Sequence, residues 1–181
     1  MKIAVFGSAK AKENTPLYLD SVLLGRLLGE RGHIVLTGGY SGTMAAVSKG
    51  AAEAGAHVIG VTCNELEDFR GAKANQWVQE EWKYPTLQER LNALVEGGDG
   101  AAIALPGGAG TLAEIIMLWN RMIIDGLPKR PVVLIGKDWE RVITTFLDAQ
   151  SSYLDERAAS MLIFAEDVPQ AIEKLFNHDS Q

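Results

Sequence analysis

Short apolar runs rich in valine and isoleucine alternate with longer amphipathic stretches along the chain. Such runs, bounded by glycine or proline, are typical of buried parallel strands, and the longer stretches are typical of helices that cover a sheet. The predicted strands are residues 3–7, 33–37, 57–62, 101–105, 131–135 and 162–165. The pattern therefore predicts a three-layer, doubly wound α/β fold, in which a parallel sheet of about six strands carries helices on both faces.

Local signals place the starts of several helices. Thr15 and Pro16 are a typical N-cap and first helical residue, for a helix that runs to about residue 30. Residues 86–89 and 111–114 both read Thr-x-x-Glu, which is the pattern of a capping box. Asp138 is the predicted cap of the helix that follows the fifth strand.

Residues 63–85 carry no clear period, and we predict an irregular, polar segment there. Three of its aromatic residues have two open interpretations, because an aromatic ring can stack on a nucleotide base or pack in a core. These residues are Trp77, Trp82 and Tyr84. The segment does not resemble a linker, and we expect residues 1–181 to form one domain.

The charge balance limits the partners. The chain has 17 Lys+Arg against 23 Asp+Glu, a net charge of -6. This argues against a general nucleic-acid binder, whose affinity comes from clustered basic residues. It does not argue against a small phosphorylated ligand, because backbone N–H groups bind phosphate without net positive charge.

Cysteine usage and hydropathy indicate the compartment. Cys63 is the only cysteine, so no intramolecular disulfide can form. The apolar run at residues 3–6 is shorter than a signal peptide requires, and no run of 18 apolar residues occurs. We therefore expect a cytoplasmic protein with no membrane partner.

Two glycine-rich loops each lead from a predicted strand into a helix. Ligands of open parallel sheets bind at the carboxyl edge, where these loops meet, and the helix N-terminus offers free N–H groups and partial positive charge. We predict that the loops hold a phosphate, although glycines can also serve only as tight turns. The candidate residues are Gly38, Gly39, Gly42 and Thr43 in the first loop, and Gly107, Gly108, Gly110 and Thr111 in the second.

Arg90 and Glu114 lie near the same edge. Arg90 lies in about the first turn of the helix opened by Thr86. A cation at a helix N-terminus opposes the helix dipole, and a nearby anion would relieve that unfavourable interaction. Taken alone, its position favours a solvated or ion-paired side chain. Glu114, by the pattern alone, is the last residue of the second capping box.

Other known sites are not indicated. The sequence has no G-x-G-x-x-G after the first strand, no P-loop motif and no G-x-S-x-G. His33, His57 and His178 have no partner at metal-ligand spacing, so we predict no metal site and no cofactor.

The run 105–114, Leu-Pro-Gly-Gly-Ala-Gly-Thr-Leu-Ala-Glu, resembles the PGGxGTxxE signature of the lonely-guy (LOG) family of cytokinin riboside 5′-monophosphate phosphoribohydrolases. The order of motifs is similar across most of the chain. Gly7 and Ser8 follow the first strand, a GGxxG-x-M loop spans residues 38–44, and an arginine-bearing helix precedes the fourth strand. The resemblance implies a Rossmann-like fold.

The resemblance also implies roles for individual residues. Arg90 and Glu114 match the family's catalytic pair, while Gly7 and Ser8 join the glycine loops as nucleotide-binding residues. The implied reaction is hydrolysis of the N-glycosidic bond of a nucleoside 5′-monophosphate, which gives free base and ribose 5-phosphate without a metal. The family was long labelled as possible lysine decarboxylases, but pyridoxal phosphate needs a Schiff-base lysine, and neither glycine loop contains one.

The chain departs from the family pattern at a few positions. Gln88 and Leu91 replace the His and Lys of the family's MHxRK segment, Tyr40 stands where the family usually has a third glycine, and Thr43 replaces a leucine. A second interpretation therefore stays open: a non-catalytic nucleotide-binding protein or molybdenum-cofactor carrier of the same superfamily.

The helix from about residue 111 to 124 is apolar on nearly all sides, whereas a helix on a sheet needs one apolar stripe. The excess indicates a second buried face. A homodimer interface would explain it, and the family resemblance implies dimers with composite active sites. The alternative is that the segment 63–85 covers this helix.

Overall fold

A computed structural model describes residues 1–154 and 156–177, and His178 lies outside them. Seven strands form one all-parallel sheet with the order β4-β3-β2-β1-β5-β6-β7. The strands are β1 Lys2–Phe6, β2 Ile34–Thr37, β3 Val58–Cys63, β4 Glu80–Tyr84, β5 Ala101–Ala104, β6 Val132–Ile135 and β7 Leu162–Ala165. The predicted doubly wound α/β fold is confirmed.

Helices cover both faces of this sheet. They are α1 Pro16–Glu30, α2 Thr43–Glu53, α3 Asn64–Arg70, α4 Leu87–Gly97, α5 Ala109–Ile123, α6 Lys137–Ala149, α7 Glu156–Ala159 and α8 Val168–Asn177. Helices α1, α2 and α8 pack on one face, over the side chains of one core cluster. Helices α4, α5 and α6 pack on the other face, over the second cluster.

The segment 63–85 contradicts the prediction of an irregular stretch, because it contains α3 and the edge strand β4. Strand β4 pairs in parallel with β3, with Trp82 beside Val61. Its sequence is mostly charged because only one side of an edge strand meets the core, and Trp82 and Tyr84 supply that side. The ring of Trp82 lies against Gly97 near the amino edge of the sheet, so its packing interpretation is correct.

Two of the predicted helix starts are confirmed and two are wrong. Thr15 accepts a hydrogen bond from the N–H of Tyr18, and the capping box at 86–89 is complete. Helix α5 begins at Ala109, two residues before Thr111, and its N-cap Gly108 has no side chain to bond. Helix α6 likewise begins after Gly136, so Asp138 lies inside its first turn.

Helices α1 and α2 touch through their backbones. A Cβ at Gly25 would lie 2.1 Å from the carbonyl oxygen of Val47, and one at Gly50 would lie 1.9 Å from that of Val22. Only glycine allows an approach this close. The crossing fixes α2 on the sheet, and with α2 the loop that precedes it.

Candidate active site

The Arg90 side chain lies inside the protein at the carboxyl edge of the sheet, although its helix begins at the surface. It is 5% exposed. Its Nε donates to the carbonyl oxygen of Val61 at 2.8 Å, and Nη2 donates to that of Gly38 at 3.0 Å. The guanidinium carbon is 5.5 Å from the centroid of the Tyr40 ring, a cation–π distance. These contacts hold the guanidinium in one orientation and leave Nη1 to face Glu114.

Glu114 lies on the neighbouring helix α5, and its carboxyl group faces the guanidinium of Arg90. Its Oε1 lies 3.8 Å from Nη1 of Arg90, and the residue is 7% exposed. Burial raises the pKa of Glu114 to about 7, and the nearby guanidinium of Arg90 only partly opposes that rise. A carboxyl group with this pKa exchanges a proton near neutral pH, as a general acid or base must.

The second glycine loop is the exposed one. Pro106 to Gly110 are all exposed, and a Cβ at Gly108 or Gly110 would meet open space. The loop runs into α5, where the N–H groups of the first turn have no acceptor within the helix. Because Glu114 lies one turn further along the same helix, this N-terminus and the buried carboxyl are held in fixed relation.

The first glycine loop is buried, and it positions other residues. A Cβ at Gly38 would lie 2.2 Å from Nη2 of Arg90, so glycine makes room for the arginine. Thr43 donates to the carbonyl oxygen of Ser8 through its N–H at 2.9 Å and through Oγ1 at 3.2 Å. The loop after β1 is thus joined to the start of α2.

The remaining predicted residues lie at the same edge. A Cβ at Gly7 would contact Thr43, and one at Gly42 would contact Ser8. Gly39 has a φ of +78°, and a Cβ there would lie 2.9 Å from the side chain of Thr62. A Cβ at Gly107 would lie 2.2 Å from Oγ1 of Thr111. The fold therefore collects all twelve candidate residues from the loops after β1, β2 and β5 and from α4 and α5.

The sequence interpretation missed Asn75, which ties the segment 63–85 to the first glycine loop. Its Nδ2 donates to the carbonyl oxygens of Gly39 at 2.9 Å and Tyr40 at 3.0 Å, and its Oδ1 accepts from the N–H of Trp77. No motif marks this residue. An asparagine in a turn-rich stretch was the only signal.

Tyr40 has a structural use for its hydroxyl group. The hydroxyl donates to the carbonyl oxygen of Cys63 at 3.1 Å and accepts from the N–H of the same residue at 2.8 Å. Burial raises the pKa of Tyr40, which keeps this hydroxyl protonated. Tyr40, which stands where the family usually has a glycine, thus provides both an aromatic surface against the Arg90 guanidinium and a link to the end of β3.

The outer side of α5 is not covered by the segment 63–85, so that alternative is wrong. Ile116 is 37% exposed and Ile124, just beyond the helix, is 65% exposed.

Within residues 1–154 and 156–177, no helix is long and apolar enough to cross a membrane. Across the same ranges, no three His, Cys, Asp or Glu residues cluster as metal ligands would.

A parallel sheet with glycine loops and a buried Arg–Glu pair at its carboxyl edge defines a Rossmann-like α/β protein. The model of the family described as possible lysine decarboxylase matches residues 44–175. The chain belongs to this family, the LOG family. A curated relative, the cytokinin riboside 5′-monophosphate phosphoribohydrolase LOG of Oryza sativa subsp. japonica, is 35% identical over 176 residues, which are 94% of this chain and 66% of the relative.

Solved structures share the fold. The molybdenum cofactor carrier protein of Chlamydomonas reinhardtii superimposes with a TM-score of 0.72 at 26% identity, over 99% of this chain and 97% of that one. The molybdenum cofactor binding protein of Rippkaea orientalis gives a TM-score of 0.73 at 24% identity, over the same shares of the two chains. The second likeness shows the fold alone.

Proposed function

We propose that this protein is a nucleoside 5′-monophosphate phosphoribohydrolase, which releases the free base and ribose 5-phosphate. The observation that carries the proposal is the buried Glu114, with its pKa near neutrality, 3.8 Å from a rigidly held Arg90. The exposed loop at the start of α5 lies one turn away on the same helix. A phosphate site and a proton-exchanging group are thus built on one rigid element.

The 5′-phosphate would bind at Gly107, Gly108, Gly110 and Thr111. Their backbone N–H groups and the dipole of α5 favour an anion without any lysine. Binding energy from the phosphate would then fix the ribose, which does not itself react at that end. The wall that carries Arg90 would be shaped by the loops after β1 and β2, through Gly7, Ser8, Gly38, Gly39, Gly42 and Thr43.

The proposed step breaks the bond between C1′ and the base nitrogen and forms a bond between C1′ and a water oxygen. The transition state resembles an oxocarbenium ion, as in glycoside hydrolysis. The Glu114 carboxylate would stabilise that positive charge and take a proton from the attacking water, and a proton is returned to the departing base. Arg90 would hold Glu114 in place and keep part of it ionised.

The comparisons support a hydrolase more than the decarboxylase that the family description names. Several relatives are named phosphoribohydrolases, at 26–35% identity. No lysine lies in the loops 38–43 and 107–111 or in the stretch 86–91 of α4, where a Schiff base to pyridoxal phosphate would have to form.

A non-catalytic carrier is the second candidate. Gln88 and Leu91 replace two residues of the family's catalytic segment, and the fold is that of the molybdenum cofactor carrier of Chlamydomonas. The retained Arg90 and Glu114 favour the enzyme, because binding alone does not need a buried carboxyl that titrates near neutral pH.

A panel of purine and pyrimidine nucleoside 5′-monophosphates, followed by chromatography for the free base, separates the two functions. An enzyme gives free base from at least one member, in amounts that exceed the protein added. Binding of a nucleotide without release of base in every case would refute the hydrolase and support the carrier.

We expect the rate with the best substrate to depend on pH through Glu114. If the ionised carboxylate accepts the proton, kcat/KM rises with pH and levels off above a pKa of about 7. The measurement is a rate profile from pH 5 to pH 9 in buffers of constant ionic strength. A rate that falls through this range would mean that the protonated form is the active one.

We also propose a homodimer that forms through the outer side of α5. Ile116 is exposed there, in a helix whose side chains are mostly apolar. Ile116→Asp would place a charge in that interface, so we expect light scattering to show a dimer for the parent and a monomer for the variant. Val142→Asp, an equally exposed position on α6, is the matched control. A parent that is monomeric at all concentrations would contradict the proposal.

The remaining predictions concern location and partners. We propose a cytoplasmic protein of one domain over residues 1–181, with no nucleic-acid partner. Cys63 is buried as a free thiol, which fits a reducing compartment.

A further inference from the structure

A cleft of about 370 Å³ opens at the amino ends of β6 and β7. The loop before β6 forms one wall, and the connection from α7 to β7 forms the other. Its lining residues are Met122, Lys129, Arg130, Pro131, Arg157, Ser160, Met161 and Ile163. The cleft thus combines three cationic side chains with apolar ones.

Only one of the three cations of the cleft forms an ion pair in the described ranges. Arg157 pairs with Asp125 at 3.3 Å. Lys129 and Arg130 form no ion pair within residues 1–154 and 156–177. Asp99 and Glu96 lie close enough to Arg130 to oppose part of the fall in its pKa that burial causes, but each forms its ion pair with another residue.

Arg130 is also incompletely bonded. One of its terminal nitrogens donates to the carbonyl oxygen of Val95 at the end of α4. Its Nε is buried and has no hydrogen-bond partner among the residues that the structure describes, and burial lowers the pKa of its guanidinium from the usual value. A partly buried cation in this state is stabilised by an anion that approaches its open side.

From the cleft, its charge and its lining we infer that this is a second binding site, for a small organic oxyanion on an apolar body. Arginine pairs with the planar oxygens of a carboxylate and with those of a phosphate. Met161 and Ile163, which are partly exposed, would supply an apolar contact for the body of the ligand. The class is therefore an alkyl or aryl carboxylate or phosphate monoester.

This site is separate from the candidate active site. The glycine loops lie at the carboxyl ends of the strands, and the cleft lies at the amino ends of β6 and β7. A strand of four residues separates the two edges by about 13 Å. The inference rests on different residues from the proposed function, so a result that refutes one of them does not refute the other.

The test is an NMR titration of the full ¹⁵N-labelled protein with phenyl phosphate, benzoate, inorganic phosphate and the neutral benzyl alcohol. We expect phenyl phosphate, benzoate or both to shift the amide signals of 129–130 and 160–163, and benzyl alcohol to leave them unchanged. Shifts at 107–111 report the other site and are read separately. A response to one of the two aromatic anions identifies whether phosphate or carboxylate is preferred.

Lys129→Glu should weaken this response about tenfold, since it reverses one charge of the cleft. Lys73→Glu, an exposed lysine outside the cleft, is the matched control and should bind like the parent. Unchanged affinity in Lys129→Glu, or no shift at 129–130 and 160–163 with either aromatic anion, would overturn the inference. Equal affinity for inorganic phosphate and phenyl phosphate would contradict the apolar part of the site.

Discussion

Glu114→Gln should lower the release of base from a nucleoside monophosphate by about 10³-fold while the nucleotide still binds. The amide has the shape of the carboxyl group, but it cannot take a proton from water or offset positive charge at C1′. Binding should persist or tighten, because the substitution removes a negative charge close to the site of the phosphate. The measurements are base release by chromatography and nucleotide affinity by calorimetry.

Glu140→Gln is the matched control, since Glu140 is an exposed glutamate in the first turn of α6. It should leave both the rate and the affinity unchanged. A Glu114→Gln variant that turns over within a few-fold of the parent would remove Glu114 from the chemistry. Loss of binding together with turnover would make it a binding group instead.

The same carboxyl group should also affect stability. Between pH 4.5 and about 7, the folded protein keeps a proton on Glu114 that the unfolded chain has lost. Stability therefore falls as pH rises through this range, by the order of 3 kcal/mol in total. Urea unfolding at pH 5 and pH 8 should therefore show a larger loss of stability with pH in the parent than in Glu114→Gln, and a difference between the two proteins that does not change with pH would contradict the raised pKa of Glu114.

Gly50→Ala should lower the free energy of unfolding by roughly 3 kcal/mol or more. The new methyl group would lie 1.9 Å from the Val22 carbonyl oxygen, and a backbone atom in a packed helix cannot move aside cheaply. Helices α1 and α2 would have to separate, which would shift the first glycine loop as well. Urea unfolding monitored by circular dichroism measures the effect.

Gly110→Ala is the control for this experiment. Gly110 is also helical, but a Cβ there meets open space. Alanine favours helix over glycine, so this variant should be as stable as the parent or slightly more so. If the two variants lose the same amount of stability, close packing of α1 on α2 is not the reason for glycine at position 50.

Most of the fold could be predicted from the sequence because the central strands are apolar throughout and amphipathic stretches of helical length separate them. Strand β4 could not, since an edge strand such as Glu80–Tyr84 alternates over only two core positions. The predicted start of α5 is two residues too late for a different reason. Thr111 and Glu114 have the spacing of a capping box, but the flexible glycines before them allow the helix to begin earlier.

The candidate site was predictable as a list of residues and not as an arrangement. The motif identified Glu114, while its burial and its pKa depend on α4 packing beside α5. The sequence also suggested equal roles for the two glycine loops, and the fold separates them into a buried loop beneath Arg90 and an exposed loop before α5. Asn75 was missed because the residues that it contacts, 39 and 40, are distant from it in the sequence.

The charged edge strand has a consequence for self-assembly. An exposed strand edge is a template on which another chain can add a strand, and repetition of that contact leads to insoluble fibrils. Glu80, Glu81 and Lys83 line the β4 edge with charge, and two identical copies that paired in parallel and in register would bring like charges together there. Growth of fibrils by parallel strand addition is thereby discouraged at this edge of the sheet.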